Sequence, residues 1–190
     1  VNRMASMIRG GGETFDLEMS RHLEKMGCVT SFLSGIPLLG KARYPLDRSR
    51  NYTIHTPYTG WFPWDRVRGG WHLRALDFRI FQFQAVKWVS DHEDDYDVIQ
   101  VCELPHFVRM WKSLKRKTPV VMRLTAPNYY DPVNGMGQAD AVIASGTTIA
   151  HLRAGVRPDV HDIPNCVDTE HFKPQSSSLR IDMGISETAF

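Results

Sequence analysis

The order of short apolar runs and amphipathic stretches is the feature that most constrains how this chain can fold. Residues 1–8 form a short, weakly apolar run typical of the tail of a strand, and three glycines follow as a tight turn. Residues 13–26 have helical spacing, and residues 28–33 are apolar and of strand length. The side chains expected on the apolar side of that helix are Phe15, Met19, His22 and Leu23. Strand, turn, helix and strand make one βαβ unit, from which parallel sheets are built.

The remainder of the chain repeats this alternation. Helices are predicted at residues 71–90, 107–115 and 147–154, and strands at 53–56, 98–102, 119–124, 141–144 and 160–163. Apolar strands separated by helices predict an α/β fold with a doubly wound, mainly parallel sheet that carries helices on both faces. Ligands of such sheets bind at the carboxyl ends of the strands.

Composition narrows the class of protein without naming a function. The 190 residues are 42% hydrophobic and 23% charged, with a net charge of +2, so the chain gives no reason to expect a nucleic-acid partner. Its three cysteines lie far apart and form no CxxC pair, which is typical of a reducing compartment. No apolar run reaches the roughly 18 residues that a membrane span needs. We therefore expect a cytoplasmic protein, with peripheral contact to a membrane left open.

Three sequence patterns come close to known ligand-binding motifs. Residues 35–42 nearly match a P-loop, but Ala42 stands where a Ser or Thr hydroxyl should hold magnesium. The first glycine turn lacks the third glycine of a dinucleotide fingerprint, because Phe15 fills that place. The Asp-Tyr-Asp at residues 95–97 precedes a strand rather than ending one, so a solvated loop is the expected structure. None of the three predicts a bound metal or dinucleotide.

The most informative stretch is IPNCVDTEHFKP at residues 163–174. It closely resembles the I-P-N-G-V-D-x-x-x-F-x-P signature of retaining, GT-B-type glycosyltransferases, the glycogen-synthase-like and mannosyltransferase-like group. In that family the signature closes the N-terminal domain, just before the chain crosses to the donor-binding domain. The clear departure is Cys166, where the family has Gly; a backbone with positive φ would be strained there.

Four shorter pieces resemble the same family in order and spacing. Residues 10–13 are similar to its G-G-x-E, residues 23–30 to its L-x-x-x-G-H-x-V-T, and residues 139–145 to its A-D-x-V-I-A-x-S. Residues 96–101 resemble its D-V-I/V-H strand, with Gln100 replacing His. The resemblance implies a Rossmann-like N-terminal half of a GT-B fold. It assigns residues 1–174 to an acceptor-side domain and 175–190 to the lead-in of a C-terminal donor-binding domain.

The resemblance also supplies candidate site residues. A glycine loop at a helix N-terminus lets backbone N–H groups reach an anion, and the family places this loop near the donor diphosphate and the acceptor. The candidate substrate-binding residues are Gly10, Gly11, Gly12 and Asn165. The weak catalytic candidates are Thr125, which stands where the family often has a functional His, and Glu103, which ends the preceding strand. No metal or cofactor is expected. A bare tight turn at the glycines and a surface position for Glu103 remain the alternatives.

The expected reaction is the transfer of a sugar from a nucleotide-sugar donor to an acceptor hydroxyl with retention of configuration. The partners it implies are the donor, a sugar-containing or lipid-linked acceptor, and the protein's own C-terminal domain. Two alternatives stay open. One is a non-catalytic ligand-binding module of the same fold, which the loss of two family histidines favours. The other is a membrane-surface module, which would use the Trp-rich stretch at 58–64 and the cationic run at 109–123.

Overall fold

The computed structural model describes residues 1–8, 10–46, 50–57, 66–124, 135–144, 155, 157–164, 169 and 182–185. Its helices are α1 (Gly11–Lys25), α2 (Gly70–Asp91) and α3 (Pro105–Ser113), and its strands are β1 (Phe32–Pro37), β2 (Asn51–Thr56), β3 (Ile99–Cys102), β4 (Val120–Arg123), β5 (Ala141–Ala144) and β6 (His161–Asp162). Every strand pairing is parallel, in the orders β1-β2 and β3-β4-β5-β6. The predicted α/β fold with a parallel sheet is confirmed.

The first three residues join these two sheets. On one side, the Asn2 amide donates to the Leu33 carbonyl (3.0 Å) and the Gly35 amide donates to the Arg3 carbonyl (3.1 Å). On the other side, the Cys102 amide donates to the Val1 carbonyl (3.0 Å), and the Val1 nitrogen donates to the carbonyl of Gln100. Residues 1–3, called the central segment below, therefore lie between β1 and β3, where the sequence predicts a first strand. The spatial order becomes β2-β1-central segment-β3-β4-β5-β6.

Side chains of the central segment alternate between the two faces of the sheet, as in a strand. The Asn2 amide nitrogen bonds the Asp16 carboxylate of α1 (2.7 Å), whereas the Arg3 guanidinium bonds the Asp77 carboxylate of α2 (2.8 Å) and the Thr56 hydroxyl (2.8 Å). Helices α1 and α2 thus cover opposite faces, which is the doubly wound arrangement. The main apolar core lies on the α2 side. It includes Phe81, Phe107, Trp111, Val101 and Met122.

Helix α1 buries a different face from the one its apolar spacing predicts. The buried side chains are Glu13, Asp16 and Ser20, while His22 is exposed. Of the predicted apolar side, Phe15, Met19 and Leu23 are half-buried, and only His22 is exposed. Polar side chains are buried instead because the sheet surface beneath α1 carries Gln100 and Arg123, which need polar partners.

Strand β1 begins four residues later than predicted, at Phe32 rather than Cys28, which is exposed. It includes Gly35, so the near-match to a P-loop starts inside a strand and not in a phosphate-binding loop. Gly35 lies directly against the buried Arg3: a Cβ added there would be 2.5 Å from Nη1 and 2.8 Å from Cδ. Glycine is required here by close packing.

Replacing Gly35 by Ala should therefore destabilise the fold by about 1–3 kcal/mol, because Arg3 and its partners must shift to admit the methyl group. Urea unfolding followed by circular dichroism measures this. Gly11→Ala is the matched control, since a Cβ at Gly11 meets nothing within 4 Å and alanine favours the helix. Equal stability of Gly35→Ala and the unmodified chain would contradict the packing described.

Candidate functional site

The candidate site lies at the carboxyl edge of the sheet, where the strand order reverses. From the central segment the chain passes through α1 to β1 on one side, whereas β3 pairs with the other side. This is the topological switch point of the sheet, where the loops that follow two neighbouring strands diverge and leave a crevice. Gly10–Gly12 follow the central segment, and Glu103 follows β3. Four of the six predicted site residues therefore follow the two neighbouring strand segments that meet at this switch point.

The three glycines form the N-terminus of α1. Gly10 is its N-cap, with φ −91° and ψ 178°, and Gly11 and Gly12 are the first helical residues. None of them has a positive φ, so the turn itself does not require glycine. A Cβ on Gly11 would point into open space. No side chain obstructs the approach to Gly11, which favours close approach of a ligand over a tight turn as the reason for glycine at that position.

Glu13 occupies the space beside Gly10. A Cβ added to Gly10 would be 2.7 Å from the Oε2 atom of Glu13, which is buried in the first turn of α1. A carboxylate is favoured at a helix N-terminus because it offsets the positive end of the helix dipole. An anionic ligand here must share this helix end with Glu13 or displace its carboxylate. The signal for this in the sequence is a Glu three residues after the N-cap, a position from which a carboxylate can reach back to the helix end.

The first turns of α1 are tied to the sheet by a buried ion pair. The Nε atom of Arg123 lies 2.8 Å from Oδ1 of Asp16, and the two side chains are 4% and 5% exposed. The Nη2 atom of Arg123 also donates to the Gly12 carbonyl (2.8 Å), and its guanidinium lies over the Phe15 ring at 4.6 Å. Arg123 therefore fixes the position of the glycine-rich helix end relative to β4.

The burial of Arg123 corrects part of the sequence interpretation. The sequence leaves open a membrane-surface module that would use the cationic run at residues 109–123. Arg123 instead lies opposite Cys102 in the β4-β3 register and points under α1. Within the same run, Lys112 pairs with Asp140 and Arg116 pairs with Glu93. Backbone N–H groups of Thr118 and Lys117, with Arg116, lower the pKa of Glu93 despite its partial desolvation.

Asp16 is the centre of this network. Besides Arg123, its carboxylate accepts hydrogen bonds from the side-chain amides of Asn2 (2.7 Å) and Gln100 (3.2 Å). Gln100, which replaces the histidine of the family that the sequence resembles, thus orients a buried carboxylate from β3.

Burial, reinforced by Asp16, raises the pKa of the neighbouring Cys102 thiol to about 12. That thiol is protonated at neutral pH and is not a nucleophile.

Glu103 follows β3 in a conformation that non-glycine residues rarely adopt. Its φ is +54°, and its amide donates to the Arg123 carbonyl at 3.0 Å. The next residue, Leu104, is fully buried, and Pro105 begins α3. These neighbours hold Glu103 in the left-handed region at the switch point, with its side chain half-buried. Such strain collects at functional sites, which strengthens Glu103 as a candidate.

Thr125 and Asn165 lie outside the described residues, as do Ser145, Cys166 and the predicted domain boundary at 174. Within the described ranges, His, Cys, Asp and Glu form no group of three that could hold a metal ion. Among the helices that the structure describes, none is long and apolar enough to cross a membrane.

No protein-family model matches the sequence, and no curated protein matches it significantly.

Replacing Arg123 by Met should destabilise the fold by about 3–5 kcal/mol, because it leaves the Asp16 carboxylate buried without its cation. Denaturant unfolding at neutral pH measures the loss. The control is Lys112→Met, which breaks the more exposed pair with Asp140 and should cost less than about 1 kcal/mol. If both substitutions cost the same, the Arg123–Asp16 pair does not have the role described.

Proposed function

We propose that this chain is the acceptor-side domain of a retaining glycosyltransferase that moves a sugar from a nucleotide-sugar donor to an acceptor hydroxyl. The observation that carries the proposal is the N-terminus of α1 at the switch point of the sheet, which is open at Gly11 and held in place by Arg123. A helix end of this kind fits the diphosphate of a nucleotide sugar. The signature at residues 163–174 supports the same class of enzyme.

In the proposed reaction, the bond between the anomeric carbon and the diphosphate oxygen breaks. The acceptor oxygen bonds to the same face of that carbon, and the acceptor proton leaves with the diphosphate. The N–H groups at Gly11 and Gly12 would stabilise negative charge on the departing diphosphate, and the α1 dipole adds to this effect. Arg123 acts as a positioning residue through the Gly12 carbonyl. The nucleotide would be bound mainly by the expected C-terminal domain.

Glu103 is the proposed group for the acceptor side of the crevice. A carboxylate there can accept hydrogen bonds from sugar hydroxyls and orient the attacking oxygen. The left-handed backbone conformation of Glu103 fixes the direction in which its side chain leaves the main chain. The Glu103 carboxylate could orient a lipid-linked sugar acceptor or a soluble one equally well.

A second function, a non-catalytic ligand-binding module of the same fold, is favoured by Gln100. Its side chain is bonded to Asp16 beneath α1, and an amide cannot act as an acid or base. Turnover of a nucleotide-sugar donor distinguishes the enzyme from the non-catalytic module.

Gly11→Asp tests the anion site in the protein expressed from its full reading frame. A carboxylate at this position should lower kcat/KM for uridine or guanosine diphosphate sugars about tenfold or more by repelling the diphosphate, equivalent to about 1.4 kcal/mol of transition-state binding. Thermal stability should not fall, because acidic residues suit a helix N-terminus. His22→Asp, on an exposed position of the same helix, is the control and should leave kcat/KM unchanged.

Transfer or hydrolysis from a panel of nucleotide sugars, monitored by release of the nucleoside diphosphate, provides the readout. Binding of a donor without turnover would favour the non-catalytic module. Activity that is equal in Gly11→Asp and the unmodified protein would refute the assignment of the diphosphate to this helix end.

Glu103→Gly should raise stability by up to about 1 kcal/mol, because glycine relieves the left-handed strain, while it lowers transferase activity by removing the carboxylate. Lys115→Gly is the matched control: Lys115 has φ +53°, so it should gain similar stability and keep full activity. Thermal unfolding and initial rates on the same samples measure both effects. A Glu103→Gly protein with normal kcat and KM would show that the Glu103 carboxylate has no part in the reaction.

A further inference from the structure

The outward face of α2 carries large apolar side chains that nothing in the described structure covers. Leu73, Leu76 and Phe83 are 48%, 53% and 65% exposed. Leu73, Leu76 and Phe83 follow at spacings of three and seven residues, which places them on one stripe of the helix. Single exposed apolar residues are common, whereas a continuous stripe marks an interaction surface.

Cations flank this apolar stripe. Arg79 and Lys87 are exposed on the same side of α2 as the stripe. The acidic residues of α2 are Asp77, which is buried against Arg3, and Asp91, which is the last residue of the helix. Within α2, the exposed stripe from Leu73 to Lys87 is therefore apolar and positively charged and contains no acidic residue.

Helix α2 cannot turn its apolar stripe inward. Its inner face is fixed by the Arg3–Asp77 ion pair and by Phe81, Ala85 and Val89, which are all buried in the core. The same contacts set its direction: Asp77 lies near Thr56 at the carboxyl end of β2, and Trp88 lies 4.6 Å from Tyr52 near the start of that strand. The exposed Trp71 end therefore lies toward the carboxyl edge of the sheet, which also carries the crevice.

We infer that the outward face of α2 docks on an anionic membrane surface. Apolar side chains that insert at the level of the headgroups, flanked by Arg and Lys that bind lipid phosphates, are the chemistry of an interfacial helix. The cationic run at 109–123 is less suited to this role, because Lys112, Arg116 and Arg123 are each paired with a carboxylate. Docking through α2 is independent of the proposed transfer reaction, and it would bring the carboxyl edge close to lipid-linked substrates.

The test is co-sedimentation of the full chain with vesicles of phosphatidylcholine alone or with about a third phosphatidylglycerol, at about 0.1 M salt. Binding to the anionic vesicles and little binding to the neutral ones is expected. The double variant Arg79→Gln/Lys87→Gln should bind about 30-fold more weakly, since each exposed cation near an anionic bilayer contributes about fivefold. Leu76→Ser/Phe83→Ser should also reduce binding at least tenfold.

Matched controls use exposed residues elsewhere on the surface. Lys25→Gln/Lys41→Gln removes the same charge, and Met26→Ser/Leu39→Ser removes two exposed apolar side chains, so both should bind like the unmodified chain. The inference is overturned if anionic vesicles are not bound or if control and α2 variants lose binding equally. A third outcome would also overturn it: the chain forms dimers and does not bind vesicles. In that case light scattering would detect the dimers, and Leu76→Ser/Phe83→Ser would abolish them.

Discussion

The pairing of the central segment with both β1 and β3 is the constraint on which the rest of the structure depends. Without it, the described strands are two separate sheets. The segment joins them by backbone hydrogen bonds along both of its edges, and it sends Asn2 to one face and Arg3 to the other. Each of these side chains then meets an aspartate on a different helix. One short stretch of chain therefore sets the strand order and the positions of α1 and α2.

The two buried Arg–Asp pairs give this arrangement its specificity. Buried ion pairs contribute little net stability, because the cost of desolvating both charges offsets much of their attraction. Leaving either partner alone is expensive, however, so alternative packings in which Asp16 or Asp77 loses its arginine are strongly disfavoured. Arg123 and Arg3 thus select one registry of helices on the sheet, while the apolar cluster around Phe81 and Trp111 supplies the hydrophobic stabilisation.

Much of the fold could be predicted from hydrophobic periodicity, because the strands from β3 to β5 and helices α2 and α3 bury apolar side chains in ordinary patterns. Periodicity failed where burial is polar. Helix α1 turns Glu13, Asp16 and Ser20 inward, and β1 contains Gly35, which packs against the distant Arg3. At the candidate site, the glycines could be predicted from the G-G-x-E motif, and Glu103 from its position at the end of a predicted strand. The network around Asp16 joins residues up to 107 positions apart, which no local pattern reveals.

The carboxylate of Glu13 determines what kind of ligand the helix end can select. It already offsets the positive end of the α1 dipole, so a ligand with a single negative charge gains little by replacing it. A diphosphate carries more charge and more acceptor oxygens, and it can bond several N–H groups at once. Because Gly11 leaves the approach open and Arg123 holds Gly12 in place, the helix end is fixed without a ligand. The proposed anion site would therefore discriminate by competition with its own side chain, which would favour polyanions over simple carboxylates.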